Sequence, residues 1–281
     1  MNAQITKGTA VITGASSGIG AVYADRFAKQ GYDLILVARN RERLESVASR
    51  LKAGTGRSIE VVVADLNNRK DVSRVEDLLR SNAGITTLVN NAGVGAAAPL
   101  LQSDIGKMED MITLNVTALT RLTYAVVPGF VARGAGTIIN IASIVGVAPE
   151  FLNGVYGGTK AFVVAFSQSL HHELAEKGVR VQAVLPGATA TEFWNIAGLP
   201  VENLPKHIEV AGTGVPIQVM SAEDMVDASL AGLDQGEFVT IPALPNNADW
   251  EAFEAARQAL FPNLSRDKAA DRYRIPQRNA A

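Results

Sequence analysis

The fold class predicted by the sequence is α/β: a doubly wound parallel sheet of about seven strands flanked by helices, in one domain with a helical C-terminal extension. Three observations predict it. Short β-branched runs alternate with longer helical patterns. The runs are apolar throughout, as strands buried on both faces of a parallel sheet must be. The first of them opens directly into a glycine-rich turn, TGASSGIG at 13–20.

In chain order, TAVIT (9–13) is the first strand, and the helix over 18–30 stops at Gly31. DLILVA (33–38) follows, then NRERLESVASRLKAG, a helix expected to end at Gly54, since glycine favours the place just past a last turn. IEVVVA (59–64) and TLVN (87–90) are the next strands. A long helix is expected from Ser103 to Arg133, with Ser103 as its cap and Pro128-Gly129 kinking or ending it. TIINIA (137–142), a helix from about Tyr156 to Gly178, VRVQAVL (179–185), a helix near 221–233 and EFVTI (237–241) complete the series. The stretch 189–220 is less regular. No repeat, low-complexity tract or linker divides residues 1–244, so they read as one domain. Residues 245–281 form a helical extension, and its Trp250, Phe253 and Leu260 should dock on something.

With 281 residues, 47% of them hydrophobic, the chain can bury a large core. Lys and Arg number 26 against 28 Asp and Glu, a formal charge of -2, which gives no electrostatic reason to expect nucleic acid or an anionic membrane as a partner. There is no cysteine, which excludes thiol chemistry and disulfides and fits a reducing cytoplasm. No signal peptide or membrane span is recognisable, and a cytoplasmic location is the expectation. His171, His172 and His207 do not form HExxH, and no metal is expected.

The turn at 13–20 places Gly14, Gly18 and Gly20 between a strand and a helix, where backbone amides can face a pyrophosphate and the missing side chains permit close approach. The GxxxxGK[ST] phosphate loop is absent. At the end of the second strand, where a carboxylate would accept from the ribose of NAD, the chain has Val37, Ala38, Arg39 and Asn40. Arg39 there suits the 2′-phosphate of NADP, so NADPH is expected to be preferred over NADH; alternatively Arg39, Arg41 and Arg43 are the solvated start of the next helix.

VYGGTK (155–160) sets Tyr156 and Lys160 one helical turn apart, although the glycines between them are poor helix formers. A tyrosine of ordinary pKa is a weak acid-base catalyst near neutrality, and a neighbouring ammonium would lower it.

TGASSGIG, NNAG (90–93), Asn115, Ser143, YGGTK and PGATAT (186–191) together resemble the short-chain dehydrogenase/reductase family over about residues 7–241. The resemblance implies a Rossmann-like, dinucleotide-binding catalytic domain over 1–244, including a substrate loop at 189–220. It makes Tyr156 the general acid/base, Lys160 its electrostatic partner and ribose ligand, Ser143 the residue that orients the substrate oxygen, and Asn115 a holder of water in a proton relay behind the lysine. Gly14, Ser16, Ser17, Gly18, Ile19 and Gly20 would line the phosphates, and Asp65 and Leu66 the adenine. Asn90, Ala92 and Gly93 would form the cofactor-side turn after the fourth strand, and Pro186, Gly187, Thr189 and Thr191 the nicotinamide segment. The implied reaction interconverts a carbonyl and an alcohol with NADP, in a homodimer or homotetramer built on the helices around 103–133 and 156–177. Val145, Phe151, Phe193 and Trp194, with Leu199, are candidates for an apolar substrate wall, or for packing of a lid. A redox sensor without turnover, or an isomerase or dehydratase on the same fold, is the alternative.

Overall fold

The computed structural model describes residues 7–210 and 213–273. Two compact units are present, Met1–Ala243 and Leu244–Ala281. The first unit runs β1 (Thr9–Thr13), α1 (Gly18–Lys29), β2 (Asp33–Ala38), α2 (Arg41–Thr55), β3 (Ile59–Val63), α3 (Arg69–Ser81), β4 (Ile85–Asn90) and α4 (Ile105–Ile112). After a π-helical segment (Thr113–Ala118) come α5 (Leu119–Arg133), β5 (Gly136–Ile141), α6 (Gly154–Leu174), β6 (Val179–Val184) and α7 (Phe193–Ile196). The unit closes with β7 (His207–Val210), β8 (Thr213–Pro216), α8 (Ala222–Asp234) and β9 (Val239–Thr240).

Seven strands form one sheet in the order β3-β2-β1-β4-β5-β6-β9, all paired in parallel. β7 and β8 make a separate antiparallel hairpin. The winding direction reverses between β1 and β4, and the crevice outside the carboxyl ends of these strands is where such sheets bind ligands. Alternate strand residues feed opposite cores: Ala10, Ile12, Leu34 and Leu36 pack with Tyr23 and Phe27 of α1, and Val11, Ile35, Val37 and Leu88 with Phe130 of α5. Burial on both faces is the physical reason the strand sequences do not alternate.

Several helix limits differ from the sequence expectation. α2 passes through Gly54 and stops at Gly56, whose φ of 68° is the left-handed conformation a helix end favours. The expected helix over 103–133 is interrupted. Ser103 closes a 3₁₀ turn, Asp104 caps α4 by accepting from the Lys107 amide, and the π segment inserts before α5. Pro128 neither ends nor divides α5, which continues to Gly134 at φ 64°. It lies on the exposed face, where water can satisfy the carbonyl it leaves unpaired. α6 begins earlier than expected, at Gly154, under an Asn153 cap.

In the second unit, α9 (Asn247–Gln258) is capped by Asn246 and buries none of its residues. Within it, Trp250 and Phe253 stack on each other at 5.3 Å.

Candidate active site

The glycine-rich turn after β1 is pinned to the turn after β4. The Asn91 amide donates to the Thr13 carbonyl at 2.8 Å, and Thr13 Oγ1 accepts from the Asn91 and Ala92 amides at 3.0 Å each. Gly14 and Gly18 have φ of 66° and 51°. A Cβ on Gly14 would lie 2.8 Å from Asn91 Nδ2 and 3.0 Å from Ala92 Cα, and one on Gly20 would overlap the Gly14 carbonyl oxygen. These glycines are fixed by backbone-to-backbone packing.

Ser17 begins α1 without a side-chain cap, and the first turn contains no acid, whereas α2, α3, α4, α6, α8 and α9 are each capped by a side chain. The amides of this turn, flanked by Ser16 and Ile19, lack a protein partner of the capping kind and fit a phosphate.

Of the arginines following β2, Arg41 pairs with Glu45 and Arg43 with Glu192 at 2.5 Å. Arg39 is exposed and has no ion pair among the described residues. The Arg43–Glu192 pair joins the start of α2 to the segment after β6 across the crevice. Asp65 and Leu66 follow β3 as expected. Asp65 does not cap α3, a place taken by Asn68, but makes its own turn by accepting from the Asn67 amide. Leu66 packs into the second core.

Asn90 ends β4, at the turn expected to face the cofactor, and its side chain points into the core. Its amide donates to Asn140 at 2.9 Å and Thr123 at 3.1 Å within the core, because it lies opposite Asn140 in the β4–β5 register. Gly93 does reach the site: a Cβ there would lie 3.0 Å from Asn115 Oδ1 and 3.6 Å from Lys160 Nζ. In the segment after β6, the Pro186 carbonyl accepts from the Ile144 amide. Thr189 is buried, and Thr191 packs 3.1 Å from where a Gly18 Cβ would stand, which brings this segment to the glycine-rich turn, while Gly187 lies by Ile144.

Ser143 follows β5 and Tyr156 rises from the first turn of α6. The Ser143 hydroxyl is hydrogen-bonded to the Tyr156 phenol, but burial outweighs this bond and pushes Tyr156 up to about 12. Lys160 is also buried; its Nζ donates to the Ile141 carbonyl at 2.8 Å and lies 5.9 Å from the Tyr156 ring centre. Burial lowers its pKa to about 8. The expected lowering of Tyr156 by Lys160 is therefore not seen, because desolvation of the phenolate wins.

Asn115 is placed by the π segment. Both its amide hydrogens are taken, by the Val94 carbonyl at 2.9 Å and Thr159 Oγ1 at 3.1 Å, and Oδ1 accepts from the Val94 amide. Its contacts are those of a brace between the β4 turn and α6. The two glycines of VYGGTK are helical. Gly157 is needed for closeness, its Cβ direction meeting Pro149 at 3.1 Å, whereas Gly158 faces open space.

Above the phenol, Val145 and Tyr156 cluster with Ala96, Met108 and Met111, bordered by Phe151 and Phe193. The Phe193 ring lies tilted on Tyr156 at 5.7 Å. Trp194 stands edge-on behind it at 5.5 Å and donates its indole N–H to the Thr189 carbonyl at 2.9 Å. Trp194 thus holds the loop in place, and Leu199 closes the end of α7 by donating to the Trp194 carbonyl.

Sequence reasoning missed Thr13, Asn91, Gly95 and Glu192. Thr13 and Asn91 lie inside the quoted motifs, so their signal was present. Gly95 and Glu192 act through contacts distant in sequence, for which no local pattern exists. Among the described residues no group of three or more His, Cys, Asp or Glu could hold a metal, and no helix is long and apolar enough to cross a membrane.

Comparison with known proteins shows the family. Residues 8–198 match the family model for short chain dehydrogenase. A short-chain dehydrogenase from Sphingobium yanoikuyae, solved in complex with NADPH, is 48% identical with a TM-score of 0.88, covering 95% of this chain and 99% of its own. The bulky-bulky ketone specific alcohol dehydrogenase from Comamonas testosteroni is 43% identical with a TM-score of 0.85, over 96% and 99% of the two chains. The very-long-chain 3-oxoacyl-CoA reductase of Anas platyrhynchos is 36% identical over 195 residues, 67% of this chain and 62% of that protein, so the match spans less than two thirds of that relative.

Proposed function

Because the chain belongs to the short-chain dehydrogenase/reductase family, we propose that it is an NADP(H)-dependent oxidoreductase interconverting a ketone or aldehyde with its alcohol, Tyr156 serving as general acid/base. The observation that carries this reading is the buried Ser143–Tyr156 hydrogen bond with Lys160 alongside, at the carboxyl edge of the sheet. A reduced nicotinamide, when bound, supplies hydride to the carbonyl carbon.

The protein's part is proton handling and orientation. A phenol held at about 12 keeps its proton at neutral pH, which suits a donor to the carbonyl oxygen. Ser143 holds that oxygen by a hydrogen bond as negative charge develops on it. The Lys160 ammonium favours transfer of the proton by stabilising the phenolate left behind, and its seat beside Gly93 suits it to hold a ribose. The uncapped start of α1 would hold the pyrophosphate, and the unpaired Arg39 the 2′-phosphate. The apolar cluster over Tyr156 fits a hydrophobic carbonyl, in keeping with the bulky ketone named for the Comamonas relative. Exposed Tyr124 on α5 and Phe162 on α6 suit the association of two or four copies through those helices.

Two measurements test parts of the reading. Arg39→Asp should lower the preference for NADPH over NADH, in ratios of kcat/KM, by at least about tenfold, since it replaces the cation facing the phosphate with an anion. An unchanged ratio would remove Arg39 from cofactor selection. The kcat/KM for ketone reduction, which reports the free enzyme, should be level below pH about 8 and fall above it. Lys160, with its pKa lowered to about 8, is charged on the acid side and loses its proton as pH rises through that value, while Tyr156 remains protonated. A profile flat to pH 10 would exclude the charge of Lys160 from the reaction.

A further inference from the structure

We infer that Gly95 and Phe193 form a paired size determinant for the carbonyl substrate, with Gly95 the notch that keeps the Phe193 ring back from the reacting phenol. This inference rests on the carbonyl-reductase reading of the same site and adds the residues that set how large the substrate may be.

The notch is visible in the packing. A Cβ on Gly95 would overlap Cζ of Phe193 and lie 2.8 Å from Cε2 and 3.1 Å from Cε1, so the far end of the ring rests directly on the Gly95 backbone. The same ring contacts Tyr156, with centroids 5.7 Å apart. Phe193 therefore touches both residue 95 and the catalytic tyrosine, and a side chain at 95 would have to displace a ring that packs on the phenol.

Retreat in other directions is restricted. Trp194 backs the ring edge-on and is held by its indole bond to Thr189. The Ala97 amide donates to the Ala197 carbonyl at 3.1 Å, which fastens the segment carrying Gly95 to the end of α7. Arg43 holds Glu192, the residue before Phe193. The backbone itself does not require glycine, because Gly95 is not among the residues with positive φ. The missing side chain is explained by the ring that takes its place.

The test is a four-member cycle of wild type, Gly95→Ala, Phe193→Ala and the double variant. Each is assayed with NADPH for kcat/KM on a ketone carrying two bulky groups and on a small methyl ketone. The bulky-to-small ratio should fall by about tenfold in Gly95→Ala, a size of effect that a methylene in a tight apolar pocket can produce. It should rise in Phe193→Ala, and the double variant should match Phe193→Ala because the added methyl then meets no ring. Thermal unfolding of the same four proteins should show the same non-additivity, so a poorly folding Gly95→Ala that is rescued by Phe193→Ala also supports the pair. An unchanged ratio in Gly95→Ala, or an equal effect of that substitution with and without Phe193, overturns the inference while leaving the reductase reading intact. Failure of the wild type to turn over any ketone overturns both.

Discussion

Tyr156→Phe is expected to lower kcat for ketone reduction by roughly 10²- to 10⁴-fold, the range for loss of a positioned general acid. The ring keeps its packing with Val145, Met111 and Phe193, and Ser143 keeps its contact to the Pro186 carbonyl at 3.4 Å. Fold and cofactor binding should therefore change little, with NADPH affinity within about threefold and a melting temperature within a few degrees. Stopped-flow or steady-state NADPH oxidation measures the first, fluorescence titration the second. Turnover within about tenfold of wild type would show that the proton comes from another group. Tight NADPH binding by a wild-type protein inert toward a broad ketone panel would instead favour a redox sensor.

The second large effect belongs to Gly20. A methyl there would overlap the Gly14 carbonyl oxygen and lie 2.6 Å from Asn91 Nδ2. Neither can yield easily: Gly14 donates its amide to the Val37 carbonyl at 2.8 Å, and Asn91 is tied to Thr13. Gly20→Ala should displace the phosphate-facing turn, weaken NADPH binding at least about tenfold and cost about 1–3 kcal/mol of stability, as overpacking does. Gly158→Ala is the contrasting change. It has no atom within 4 Å of the new methyl, so it should stabilise α6 by about 0.5–1 kcal/mol through helix propensity. Calorimetry on both variants checks the contrast; equal effects would mean that helix propensity, not contact, governs both sites.

The strands were legible because burial on both faces leaves a continuous β-branched run, a signal that needs no knowledge of partners. Helix ends were less so. Gly54 and Gly56 offer the same residue type two positions apart, and only the backbone turning left-handed at Gly56 distinguishes them. The π segment carrying Asn115 has no sequence mark, since its register follows from how α4 and α5 pack. In the site, Ser143, Tyr156 and Lys160 could be named because their motifs are local. The balance of forces on Tyr156 could not, because burial depends on Phe193 and Met111, which arrive from other parts of the chain. Asn90 shows the same limit: Gly93 comes close to Lys160, but pairing with Asn140 turns the Asn90 side chain inward.

The missing cap at Ser17 has a consequence for the life of the protein as well as for its chemistry. Six other helices carry their own stabilising group at the start, while α1 has no side-chain cap and its open amides suit an anion. A ligand held there binds only the folded chain and stabilises it by mass action, about 2.7 kcal/mol at a hundred times its Kd. Under the proposed function, dinucleotide bound at this turn would add to the protein's resistance to unfolding and proteolysis, and a depleted pool would shorten the lifetime of the catalyst that draws on it.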